Sequence, residues 1–156
     1  MTYKKTLNCS FRKIYWGSRG SSSKIEQANM DGSNRTILVS SGLVWVNSLA
    51  MDYQSRMLYW CDANLDRIER VGLQGNNRTL MLDLSFDMHP FGLALYNDVL
   101  YWSDWNSRSI HKYNMTSSVT EVVVRGMGTL MELHSYDHTE TFNGMHVQFS
   151  SPQLFF

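Results

Sequence analysis

Cysteine, proline and surplus charge are all scarce in this chain of 156 residues, and each scarcity closes off a class of protein. Two cysteines, Cys9 and Cys61, allow at most one bridge, which would need α-carbons within about 7 Å. They are also too few to anchor a zinc site, and the simpler reading of Cys61 is a small, half-buried strand residue. Two prolines and ten glycines exclude collagen-like and low-complexity chains. Fourteen basic residues balance fourteen acidic ones without forming a basic stripe, so the footprint of a nucleic-acid groove is missing. No apolar run approaches the roughly 20 residues that span a bilayer, and residues 1–12 lack the apolar centre of a secretion signal. The five histidines have no metal-ligand spacing, so neither a metal nor a cofactor is expected.

What the chain does contain is a repeat. Tyr15-Trp16, Tyr59-Trp60 and Tyr101-Trp102 each close a short β-type run, and the tyrosines lie 44 and then 42 residues apart. A second run follows each pair, centred on Ile25, Ile68 and Ile110. Turns come next, Asp31–Thr36, Gln74–Thr79 and Asn114–Ser118, and then the apolar runs Ile37–Val39, Leu80–Leu82 and Val122–Val124. One further strand, Val46–Asp52 or Pro90–Tyr96, precedes the second and third pairs. Four short strands per period of 42 to 44 residues, bounded by turn chemistry, predict β-propeller blades.

The segments Asn47–Asp52, Leu58–Asp62, Arg67–Arg70 and Gly75–Arg78, with His89–Leu95 and Leu100–Trp105 in the next copy, closely resemble the YWTD (class B) repeats of the low-density lipoprotein receptor family. The His-Pro-Phe start at residue 89 and Trp105 after the motif are most similar to the Wnt and agrin co-receptor branch. The resemblance implies an all-β fold, a partial six-bladed YWTD β-propeller of about three four-stranded blades from the C-terminal half of the ring. The expected divisions are a partial blade at 1–42, blades at 43–85 and 86–128, a closing strand at 129–136 and a non-family tail at 137–156. A half-ring would expose one apolar blade face at each end. Such a chain is expected to be a fragment, with pairing of two half-rings the lesser alternative. The missing half of the propeller and an EGF-like module are its implied partners.

Within the motif, Tyr15, Trp16, Tyr59, Trp60, Tyr101 and Trp102 alternate along their strands, so one ring of each pair is expected between blades. Asp62 and Asp104 match the aspartate that the resemblance implies ties adjacent blades by hydrogen bonds. Cys61 stands where the family motif has threonine, and the first copy departs further, with Gly17-Ser18, so its junction should be weaker or differently held.

In a meander the turns after first and third strands share one face. The sequons at Asn34, Asn77 and Asn114 fall after third strands; a fourth lies at Asn8. In a secreted fold these four become glycosylation candidates. The opposite face collects Trp45, Asn47, Asn64, Arg67, His89, Phe91, Trp105, Asn106 and Arg108, a mix of aromatic, arginine and carboxamide groups suited to protein recognition. Packing between blades is the competing role for His89 and Phe91. His89 and His111 are also positioned as candidates for an acid switch.

The resemblance implies a non-catalytic extracellular module that binds protein ligands or antagonists as part of a cell-surface receptor ectodomain. A nidogen-like matrix module is the alternative. A calcium-dependent hydrolase on the same fold would need inward-pointing Asp, Glu, Asn or His ligands, whereas the acidic residues here are committed to motif and turn positions. Neither nucleic acid nor a membrane span enters this reading.

Overall fold

Three four-stranded antiparallel sheets follow one another along the chain in a computed structural model, which describes the backbone of residues 4–8 and the whole of residues 12–128 and 132–134. The first comprises β1 (Lys4–Asn8), β2 (Lys13–Gly17), β3 (Ile25–Asn29) and β4 (Thr36–Val39). The second comprises β5 (Val46–Asp52), β6 (Met57–Asp62), β7 (Arg67–Gly72) and β8 (Thr79–Asp83). The third comprises β9 (Pro90–Tyr96), β10 (Val99–Asp104), β11 (Ser109–Asn114) and β12 (Val119–Val124). Strands pair in chain order within each sheet, which is the meander of a propeller blade.

The first unit, expected to be partial, is complete. Residues 4–8 pair with β2 from Lys4 opposite Gly17 to Asn8 opposite Lys13. The polar run Lys4-Lys5-Thr6 hides this strand from a pattern reading, because its partner β2 and not its own periodicity recruits it. The expected closing strand and tail lie outside the described residues, apart from Glu132–His134, which are not in a strand. The backbone at Glu132 and Leu133 does lie against Gly92 of β9, where an added Cβ would sit 2.7 Å from the Leu133 nitrogen.

Turn chemistry is repeated as closely as the motif. Arg12, Arg56, Asp66, Arg108 and Ser118 all adopt left-handed φ of 48–57° in the residue immediately before a strand. Asn34 and Asn77 do so at matching places, and asparagine tolerates that region well. Each third-to-fourth strand pairing shifts register at the same point, Ile25/Glu26, Ile68/Glu69 and Ile110/His111. A bulge there adds twist to the outer half of each blade.

Two apolar cores lie between blades. The first joins Tyr15, Ile25 and Val39 to Val46, Leu58 and Trp60; the second joins Tyr59, Cys61 and Ile68 to Leu93, Leu100 and Trp102. Both rings of the middle pair are therefore used, Trp60 toward the first blade and Tyr59 toward the third, rather than one ring alone. Alternation turns the half-buried Trp16 and Tyr101 away from the middle blade, to the two ends of the row. Burial falls from the inner strands to the outer ones: β5 is buried almost throughout, whereas β12 is exposed at every residue.

Cys61 is wholly buried, not half-buried, and its thiol donates to the Phe91 carbonyl of the third blade at 3.5 Å. Gly17 and Ser103 are the matching small residues. A Cβ on Gly17 would lie 2.4 Å from Val46 Cγ1, so glycine here permits the close approach of first and second blades.

Candidate functional site

Each blade presents one face made of second-to-third strand turns and blade-to-blade connectors, here called the upper face. The lower face carries the other turns. Upper-face geometry begins with the motif aspartate. Asp62 Oδ2 accepts the Val44 amide at 2.7 Å, and Oδ1 accepts the amides of Trp45, Asn64 and Leu65 at 3.1–3.2 Å. One buried carboxylate thus holds both its own turn and the connector that arrives from the first blade, and its desolvation is offset by four donors.

From the other side the same connector is held by the first blade. Gly20 donates to the Val44 carbonyl at 2.9 Å, and Arg19 and Trp45 form an isolated antiparallel bridge. The Ser18 hydroxyl, in the aspartate's place, accepts the Lys24 amide at 3.0 Å and closes only its own turn. The junction expected to be altered is the one entering the first blade, and it lies outside the described residues. In the third blade, Asp104 Oδ1 accepts from the amide and hydroxyl of Ser107 at 2.7 and 2.6 Å, while its buried Oδ2 meets no donor among the described residues.

Trp45 and Trp105 stand out on this face, 42% and 44% exposed. The Arg19 guanidinium lies 5.5 Å from the Trp45 ring centre, and Trp105 stacks on Phe91 at 4.6 Å and 4°. Phe91, expected at the surface, is buried and serves as the floor on which Trp105 rests. Asn47 is also buried rather than presented. It accepts from Arg19 Nη2 at 2.5 Å and donates to the Pro90 carbonyl at 3.1 Å, linking loops of three blades. Its place on the second residue of β5, inside the ring of connectors, explains the correction.

Arg67 is half-buried and committed: Nη2 donates to the Gly42 carbonyl at 2.7 Å, and Nε lies 2.8 Å from Glu69. His89 Nδ1 lies 3.0 Å from Asp66 Oδ1 and 3.1 Å from the Met88 carbonyl, two acceptors that place the proton on Nδ1. Asn64 and Arg108 are exposed, and exposed Asn106 donates to the Asp87 carbonyl at 2.8 Å. The upper face thus brings together Trp45, Asn64, His89, Trp105, Asn106 and Arg108 at its surface, and withdraws Asn47, Phe91 and Arg67 into its support.

A second constellation was not singled out from the sequence. Glu69 is buried on β7 and takes a two-pronged ion pair from Arg78, Nε to Oε2 at 2.7 Å and Nη2 to Oε1 at 3.0 Å. The same guanidinium covers Trp60 at 5.3 Å and donates to the carbonyls of Ser41 and Gly42 at 2.6 and 3.1 Å. The first blade repeats the clamp with Glu26, Arg35 and Trp16, at 2.9, 3.0 and 5.3 Å. Arg35 holds the Glu26 carboxyl below its ordinary pKa, against the opposing effect of burial. A recurring glutamate with an arginine nine residues later was the available signal. In the third blade His111 takes the glutamate's place and stacks on Trp102 at 5.1 Å, its Nε2 2.7 Å from the Ser109 hydroxyl. Burial pushes the His111 pKa down, partly opposed by Asp104 and assisted by Arg125.

On the lower face, Asn34 and Asn77 are exposed, whereas half-buried Asn114 accepts the amides of Thr116 and Ser117 at 2.9 and 3.0 Å. The side chain of Asn8, like Cys9, lies outside the described residues. Among the described residues, no group of three or more His, Cys, Asp or Glu side chains is placed to hold a metal, and no helix is long and apolar enough to cross a membrane.

No family model matches the chain. It is 33% identical over 133 residues to the vitellogenin receptor Yl of Drosophila melanogaster, covering 85% of this chain and 7% of that receptor. It is 39% identical over 112 residues to low-density lipoprotein receptor-related protein 5 of Homo sapiens, covering 71% of this chain and 6% of that protein. Among solved structures, a nidogen/laminin complex superposes with a TM-score of 0.73 at 26% identity, over 84% of this chain and 50% of the matched one. The chain therefore spans a small part of the curated receptors and half of the matched propeller chain.

Proposed function

Since the chain's repeats are YWTD repeats of the low-density lipoprotein receptor-related family, we propose that it acts as a non-catalytic, extracellular ligand-binding segment of a receptor propeller. The remaining blades and a following EGF-like module would come from the rest of a longer ectodomain, consistent with its small share of the receptors it resembles. The observation that carries this reading is Trp105, held out flat on the buried Phe91 ring, with Trp45 steadied by Arg19 on the same face. Preset aromatic surfaces lose little entropy on binding and form the centre of protein hot spots. Asn64, Asn106 and Arg108 supply a polar rim, and the three lower-face sequons leave this side clear of glycan.

The occupants proposed are secreted protein ligands or antagonists of the Wnt co-receptor branch, presenting an asparagine-containing loop. Constrained asparagine-containing peptides selected on the secreted chain provide the test. Trp105→Ala is expected to weaken them by about 2 kcal/mol or more, roughly thirtyfold in Kd, with lower-face substitutions such as Gln74→Ala silent. Peptides indifferent to Trp105 and Trp45 would overturn the assignment of the face. A matrix role is the second reading, favoured by the likeness to a structure of a nidogen/laminin complex; laminin binding by the secreted chain would support it.

A further inference from the structure

Between the first and second blades, at their lower end, lies a cleft of about 470 Å³. Lys13, Tyr15 and Gln27 form one wall, and Ser55–Met57 with the turn from Gly72 to Asn77 form the other. Its volume falls within the roughly 300–1,000 Å³ of small-ligand sites. Its lining is mixed: Tyr15, Met57 and Leu73 give it apolar surface, and around them stand the carboxamides of Gln27, Gln74 and Asn76 and the cations Lys13 and Arg56, with no carboxylate among them. Neutral, hydroxyl-rich matter with an acetamido carbonyl would satisfy such donors. Asn77, the acceptor of the sequon Asn77-Arg78-Thr79, is itself part of the lining and is exposed.

We infer that the cleft is the seat of the N-glycan carried by Asn77, whose first sugars pack between the two blades and brace them. The inference rests on the extracellular reading above, because the modification belongs to the secretory route. A lipid diphosphate-linked oligosaccharide is the donor and the cell's transferase the catalyst. The sugar C1–O bond to the diphosphate breaks, a C1–Nδ2 bond to Asn77 forms, and one amide proton leaves. Once attached, the sugar is tethered at the mouth of its own site, so contacts too weak to hold a free saccharide suffice.

Asn34 is an internal control. It occupies the same turn of the first blade, has the same left-handed φ (51° against 55°) and is exposed, but it does not line the cleft. The two sites therefore share the Asn-Arg-Thr context and the left-handed φ, and of the two only Asn77 lines the cleft.

The test uses the full chain secreted from mammalian cells, with peptide N-glycosidase release followed at each site by glycopeptide mass spectrometry. Under native conditions, release from Asn77 is expected to be about tenfold slower than from Asn34, because it awaits local opening. After denaturation the two rates should coincide. Lys13→Ala with Gln27→Ala, which strips donors from the cleft and leaves the sequon intact, should bring the native Asn77 rate up to that of Asn34. Equal native rates with both sites occupied would overturn the proposal, as would glycan on Asn34 and none on Asn77, and so would a slow Asn77 rate unmoved by the double variant. Glycan on no sequon would overturn the extracellular reading, and this proposal with it.

Discussion

The second and third blades have the same four-stranded meander and the same shift between third and fourth strands, yet they hold their tryptophans by different chemistry. Over Trp60 lies a guanidinium paired twice with buried Glu69 and bonded onward to the connector at Ser41 and Gly42. Over Trp102 lies the His111 imidazole, beside the hydroxyls of Ser107 and Ser109 of its own blade. The Asp62 carboxylate likewise reaches the connector while Asp104 serves its own turn. What differs is therefore the attachment: the middle blade is bolted to its predecessor by charged groups, whereas the third is joined to the middle blade through Asn47, Cys61 and the Asp66–His89 contact.

Breaking the bolted side has the largest expected effect. Glu69→Ala leaves the Arg78 guanidinium against Trp60 without its carboxylate, and loss of one member of a buried pair costs about 3–5 kcal/mol. Urea unfolding of the secreted chain would measure it; a loss under about 1 kcal/mol would mean that the clamp is a screened surface pair.

Transplanting the clamp sharpens the comparison. Thr120 lies nine residues after His111, as Arg78 does after Glu69. His111→Glu alone should destabilise, since it buries a second carboxylate near Asp104. Adding Thr120→Arg should recover a coupling of roughly 0.5–3 kcal/mol in a double-mutant cycle. Additive effects would show that the third blade's backbone does not present the clamp geometry.

The smallest effect expected is an order of events in acid. Burial depresses the His111 pKa, so the unfolded chain binds that proton first; stability falls as pH drops below the ordinary histidine value of 6.5. Glu26 is depressed by Arg35, so its contribution persists to lower pH and is lost as pH falls from the ordinary 4.5 through its folded value. Hydrogen exchange from pH 7 downward should therefore show the third blade loosening before the first. The order should vanish in His111→Gln; simultaneous loosening in the unaltered chain would refute it.

The fold was legible because propeller blades are local objects. Tyr59-Trp60, the turn at Gly75 and the strand Val46–Asp52 each lie within one period, and their recurrence reveals the meander without any long-range information. Strand β1 was not legible, since Lys4-Lys5-Thr6 carries no apolar alternation and is defined by pairing with β2. The upper face was legible as a set of loops but not as a surface. Sequence placed Asn47, Phe91 and Arg67 with Trp45 and Trp105, and only packing separates the two exposed indoles from buried Asn47 and Phe91 and half-buried Arg67.

Periodicity alone determined the number of blades, the location of the Tyr-Trp motif and which turns share a face, because meander connections alternate by necessity. Tertiary structure decided how the blades meet: that Tyr59 and Trp60 serve opposite interfaces, that Gly17 admits Val46, that Arg78 bridges Glu69, Trp60 and the preceding connector. These depend on side-chain distances within and between repeats, from 9 positions for Arg78 and Glu69 to 37 for Arg78 and Ser41, and a repeat fixes which elements are adjacent while leaving side-chain partners to packing.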